Sequence, residues 1–163
     1  MLKRVLSFIL SIALALAVGG LSAFLTRDSM NIYKEIATPP PAIPSIVFPI
    51  VWGVLFVLMG ISAALIYNTD TSTLEGVTRR DREYALSIYL LSLAVNFVWS
   101  IIFFNFRAYL AAFIWLLFLL YLVVRTILLY RKINPAAAYL QIPYAAWVSF
   151  AGYLTFGIWL LNK

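Results

Sequence analysis

Apolar runs long enough to cross a bilayer alternate with short polar breaks along the whole chain. The runs fall at about residues 5–25, 46–67, 84–104, 109–130 and 136–161. The breaks collect turn and charge signals: the proline-bearing stretch 26–45, the charge-rich stretch 68–83, the short 105–107, and Arg131-Lys132-Ile133-Asn134-Pro135. About 20 residues at a rise of ~1.5 Å each cross a ~30 Å hydrocarbon layer. Lipid offers no partner to a free backbone N–H or C=O, so each run is predicted to be helical. The predicted fold is an all-α integral membrane protein, with residues 1–163 forming one bundle of five transmembrane helices.

Polar and aromatic residues recur inside these runs at helical spacing. Tyr89, Ser92, Asn96, Trp99 and Phe103 follow one another at intervals of three and four and so share a helix face. Pro49, Trp52, Phe56, Met59 and Ala63 do the same in the second run, and Tyr144, Trp147, Ala151, Leu154 and Ile158 in the fifth. Aromatic stripes can be ordinary packing or an interfacial belt, and Trp115 and Trp159 are read that way. Trp52 stands one turn after Pro49, and Trp147 one turn after Pro143. Asn96 lies mid-span, where an amide is expensive and needs a partner. That partner is either a neighbouring helix, at ~0.6–2 kcal/mol, or a ligand. Ala151, one turn from Trp147, leaves a gap beside the indole. Three aromatic stripes and one amide predict an internal pocket for something planar and apolar.

Composition narrows the chemistry. The chain is 64% hydrophobic and 11% charged, against ~25% charged in soluble domains. Cys and His are absent, which removes disulfides, iron–sulfur clusters, the commonest zinc and copper ligands and His-ligated haem iron. No metal site is expected and no cofactor is required. The five runs hold no carboxylate, so a conventional acid–base constellation is missing as well.

The formal charge of +6 is read as flanking the spans rather than as a nucleic-acid surface. Lys3, Arg4, Arg79, Arg80, Arg82, Arg131 and Lys132 fall on the side of the N-terminus, and Arg27, Lys34, Arg107 and Lys163 on the other. This bias predicts a cytoplasmic N-terminus, with Arg125 snorkelling toward the more basic side. The short basic start fits a bacterial plasma membrane. Lys3 and Arg4 before an apolar run also match a signal peptide, but the run is long for one. Ser11, Ala15, Gly19 and Ala23 form a small-residue stripe that lets another helix approach, within the chain or across a homodimer.

Three blocks carry a resemblance: Phe48-Pro49-Ile50-Val51-Trp52 through Gly60, Asn96 to Phe104, and Asn134-Pro135 through Pro143-Tyr144-Ala145-Ala146-Trp147 to Asn162. Together, in this order, they resemble the TspO/translocator protein family, the tryptophan-rich sensory proteins or peripheral-type benzodiazepine receptors. The resemblance implies five helices around a pocket for protoporphyrin IX, haem-type tetrapyrroles and related flat ligands, and for some members light-dependent porphyrin breakdown. By position it implies that Trp52 and Trp147 are the indoles tied to porphyrin chemistry. Asn96 and Trp99 match the third-span pair, Ala151 a small residue lining the ligand site, and Tyr33 a capping tyrosine of the first loop. Pro49, Phe56, Phe103, Pro143 and Tyr144 complete the expected ligand-binding set.

The porphyrin carboxylates are expected at the mouth near Arg27 and Lys34, and iron could look only to Met59 or a tyrosine, so metal-free porphyrin is the more natural ligand. A transporter or a sensor acting through a protein partner is the alternative role. The chain departs from the family pattern at Pro41, where a tryptophan is usual. It departs again at Gly157 and Leu160, which break the cholesterol-recognition pattern.

Overall fold

The computed structural model describes all residues but 28, 30–34 and 42. The described residues form five helices: α1 (Leu2–Thr26), α2 (Val47–Asn68), α3 (Arg79–Ser100), α4 (Tyr109–Ile133) and α5 (Pro135–Leu161). The last turn of the third span, Ile101–Asn105, is π-helical and continues α3. All five spans are long and apolar enough to cross a membrane. Strands are absent among the described residues.

Local chemistry sets the helix ends. α3 starts at Arg79, five residues earlier than the apolar pattern predicts. Thr78 Oγ1 accepts the Asp81 N–H, and the Asp81 carboxylate accepts the Thr78 N–H at 2.8 Å, a reciprocal capping box. These bonds outweigh the charge run, so Asp81 and Glu83 belong to a helix whose apolar stretch lacked carboxylates. Asn134 caps α5 through Oδ1, which accepts from the Ala136 and Ala137 N–H groups, and Pro135 follows at the first helical position. Pro49 sits in the first turn of α2, where its missing N–H has no helical acceptor to lose. The third span ends where Phe106 N–H reaches the Ile101 carbonyl at 3.1 Å. Arg107, at φ 53° in the left-handed region, then turns the chain toward α4, the place a glycine usually takes.

Shape complementarity and buried polar bonds join the helices. The small-residue stripe of α1 packs against α2 of the same chain: a Cβ on Gly60 would lie 2.5 Å from Ile12 Cα, and one on Gly19 would run into the Phe56 ring. Ser62 Oγ donates to the Ala137 carbonyl at 2.7 Å and accepts from Gln141 Nε2 at 3.1 Å, tying α2 to α5. Trp115 Nε1 donates to the Val95 carbonyl at 2.7 Å, tying α4 to α3. This is the packing role its sequence context predicts. Trp159 lies at the end of α5 beside Phe156, with the Lys163 ammonium over its ring.

Gly60→Leu should push α1 off α2, because the obstructing atoms are backbone and cannot rotate away. Overpacking costs typically ~1–3 kcal/mol. Thermal unfolding in detergent should show a clear loss, whereas Gly53→Ala, where an added methyl meets nothing within 4 Å, should leave the midpoint unchanged or raise it.

Candidate functional site

Trp52 is the centre of the aromatic cluster. Its ring lies 5.5 Å from Phe56 and nearly parallel to it, 6.3 Å from Trp99, 6.1 Å from Tyr144 and 6.5 Å from Trp147. The cluster continues from Trp99 to Phe103 at 5.6 Å and from Phe103 to Phe104 at 4.8 Å, edge to face. α2, α3 and α5 therefore converge through their rings, as the three stripes predict.

The remaining space is divided between two clefts. The first, with about 580 Å³ of empty space out to its mouth, lies among α1, α2 and α3 and is bordered by Ser22, Thr26, Pro49, Trp52, Phe56 and Asn96. The second, about 480 Å³, lies between α3 and α5 beside Phe103, Ala151, Leu154 and Thr155. Phe48, Trp99 and Phe104 border both.

Asn96 is 3% exposed, borders the first cleft and makes no hydrogen bond to any described residue. The interhelical-glue alternative therefore finds no partner among the described residues, and the amide is left facing the cleft. Trp99 Nε1 and Trp147 Nε1 are likewise buried without a partner among the described residues. Such groups cost ~1–3 kcal/mol each when left unmet in a dry interior.

The expected residues separate by position. Pro49, Trp52, Phe56, Asn96 and Trp99 meet at the first cleft, while Phe103 and Ala151 reach the second. The gap at Ala151 opens toward Phe48 and Trp99, away from the Trp147 indole expected beside it. Pro143 and Trp147 border an outward apolar groove between α2 and α5, with Ile50, Val54 and Phe150. Pro143 therefore faces away from the inner site. The reason is helical phase: it precedes the wholly buried Tyr144 by one residue and lies about 100° round the helix. Tyr144 is 0% exposed and supports Trp52 from behind, bordering neither cleft. Met59, also 0% exposed, is core and borders neither cleft. Tyr33 and Lys34 lie outside the described residues. The Arg27 guanidinium lies 4.5 Å from the Phe24 ring centroid.

Several bordering residues escaped the sequence reading. Phe104 joins Phe103 at the clefts because the π-turn shifts the helical phase. Phe48, Ser22, Thr26 and Thr155 carried no signal beyond their place on an inward face. The end of the first loop is fastened across α5: Asn162 Oδ1 accepts the Ala37 N–H at 3.0 Å, and Asn162 Nδ2 donates to the Ala37 carbonyl at 2.8 Å. Tyr153 Oη donates to the Pro40 carbonyl at 2.6 Å. Buried Pro39 lies where a Cβ on Gly157 would come within 2.5 Å of its ring.

A five-span bundle with an aromatic interior is one class of membrane-embedded small-molecule protein, and comparison places this chain within it. The chain belongs to the TspO/MBR family, whose model matches residues 11–160. It is 32% identical to the tryptophan-rich protein TspO of Chlorobaculum tepidum over 161 residues, 98% of each chain. It is 31% identical to the TspO of Archaeoglobus fulgidus over 98% of this chain and 99% of that one. The human translocator protein is 30% identical over 96% of this chain and 89% of its own.

Asn96→Leu should raise the thermal midpoint of the ligand-free protein, since it removes an unmet amide at ~1–3 kcal/mol. A fall would show that the amide is bonded within the fold. Gly157→Leu should displace Pro39 and loosen the loop, seen as faster proteolysis of the 35–44 stretch with an unchanged helical circular-dichroism signal.

Proposed function

We propose that this chain is a membrane receptor for protoporphyrin IX, haem and related flat apolar ligands. The observation that carries the proposal is that Trp52 and the unmet amide of Asn96 border the same cleft. An apolar planar ligand stacked on Trp52 gains ~0.5–1.5 kcal/mol per ring pair beyond area burial. Asn96 supplies one of the few polar contacts that orient a ligand in such a site. The family membership and the names of its relatives support a membrane binding or transport role. In the photochemical form of this reading, Trp52 and Trp147 serve the excited pigment as electron donors, and their edge-on contact at 6.5 Å links the inner cleft to the outward groove. The name of the human relative, translocator protein, favours transport as the second reading, which flux of porphyrin into sealed liposomes decides.

The test is quenching of tryptophan fluorescence by protoporphyrin IX in detergent. Trp52→Ala should weaken binding by about two- to tenfold, the equivalent of ~0.5–1.5 kcal/mol of stacking. Trp159→Phe, at the far end of α5, should bind like the parent. Parent-like affinity in Trp52→Ala and Asn96→Leu together rules the receptor reading out. Under illumination, Trp52→Phe and Trp147→Phe should slow porphyrin bleaching, and unchanged bleaching removes the photochemical form while leaving binding intact.

A further inference from the structure

Three cations gather toward the end of α4, none of them hydrogen-bonded or ion-paired to a described residue. Arg125, Leu128, Leu129, Arg131 and Lys132 border one groove. Other cations at this end of the bundle behave differently. Arg82 donates to the Thr69 carbonyl at 3.0 Å, and Arg79 pairs with Glu83 at 2.7 Å. Lys132 lies within electrostatic reach of Asp81, but that carboxylate is already engaged by the Thr78 N–H and hydroxyl.

Arg125 is eight residues inside the end of α4, about 12 Å at the helical rise. A charge at that depth is expensive in lipid unless something of opposite sign reaches it. Around it runs an exposed apolar stripe at helical spacing, with Leu117, Tyr121 and Val124 deeper in the helix and Leu128 toward its end, exposed by 50%, 58%, 43% and 50%. Apolar rungs capped by unmatched cations have the profile of an acyl chain ending in an anionic headgroup.

We propose that this groove is a binding site for an anionic phospholipid. The headgroup phosphate lies between the Arg125 guanidinium and the Arg131 and Lys132 side chains, and an acyl chain lies along Leu128, Val124 and Tyr121. The charge-assisted bonds of a phosphate to guanidinium supply the match that the protein itself leaves unmade. The site is separate from the aromatic clefts and does not depend on what they bind.

The full chain in neutral detergent is titrated with dioleoylphosphatidylglycerol and, separately, with dioleoylphosphatidylcholine, and bound lipid is read by native mass spectrometry. The anionic lipid should be retained about 30- to 150-fold more tightly, as two or three interfacial cations provide. Arg125→Gln and Lys132→Gln should each remove most of that preference, Arg125→Lys should keep much of it, and Arg80→Gln, an exposed cation of α3, should keep all of it. Inorganic phosphate added in excess should leave the lipid in place. Equal retention of the two lipids overturns the proposal, as does an equal loss in Arg80→Gln and Arg125→Gln. Displacement by free phosphate also overturns it, by assigning the groove to a soluble anion. If Arg125→Gln is not monodisperse, Lys132→Gln and the lipid preference of the parent chain decide by the same criteria.

Discussion

The backbone contact between α1 and α2 is the constraint on which the first cleft depends. In lipid, helices gain nothing from hiding apolar surface from water, so association rests on how closely their surfaces fit. Gly60 lets the Ile12 backbone approach, and Gly19 leaves room for the Phe56 ring. That approach brings Ser22 and Thr26 of α1 opposite Trp52 and Asn96, which builds the wall of the first cleft. Polar bonds then lock the arrangement at separate heights, with Asn68 Nδ2 donating to Ser7 Oγ and Asn105 Nδ2 to the Leu25 carbonyl at 3.2 Å.

Around that wall the interior is aromatic and short of hydrogen-bond partners. Trp52 meets four rings, and each neighbour belongs to a different turn or helix. The unmet indole N–H groups of Trp99 and Trp147 and the amide of Asn96 lie close to this cluster. A dry interior makes such groups costly when left unmet. The division of the space into two clefts follows from Phe48, Trp99 and Phe104, whose rings stand between them.

Much of this was legible in the chain. Runs of apolar residues give the number of helices because a bilayer admits few alternatives, and the three-and-four spacing of Trp52, Asn96 and Trp99 gives the inward faces. The limits were equally physical. A charge run from Arg79 to Glu83 looks like a loop until the reciprocal bonds of Thr78 and Asp81 are counted. The small residues of α1 specify close packing without naming the partner, and only the fold shows it to be α2. Pro143 and Tyr144 are neighbours in sequence, yet one faces out and the other is fully buried, a distinction that needs the phase of α5. Phe103 and Phe104 defeat a strict 3.6-residue period because the helix does not keep one there.

That departure from regular geometry has a structural consequence of its own. A π-turn holds one residue more than the α-helical turn it replaces, so Ile101–Asn105 acts as a built-in insertion. Shortening the segment by a single amino acid would restore the ordinary winding and take away the extra residue that the wider turn presents to the interior. One phenyl ring would then leave the partition, and Phe48 and Trp99 alone would stand between the two chambers. The separation of the chambers thus depends on the count of residues in one turn as well as on the ring that turn carries.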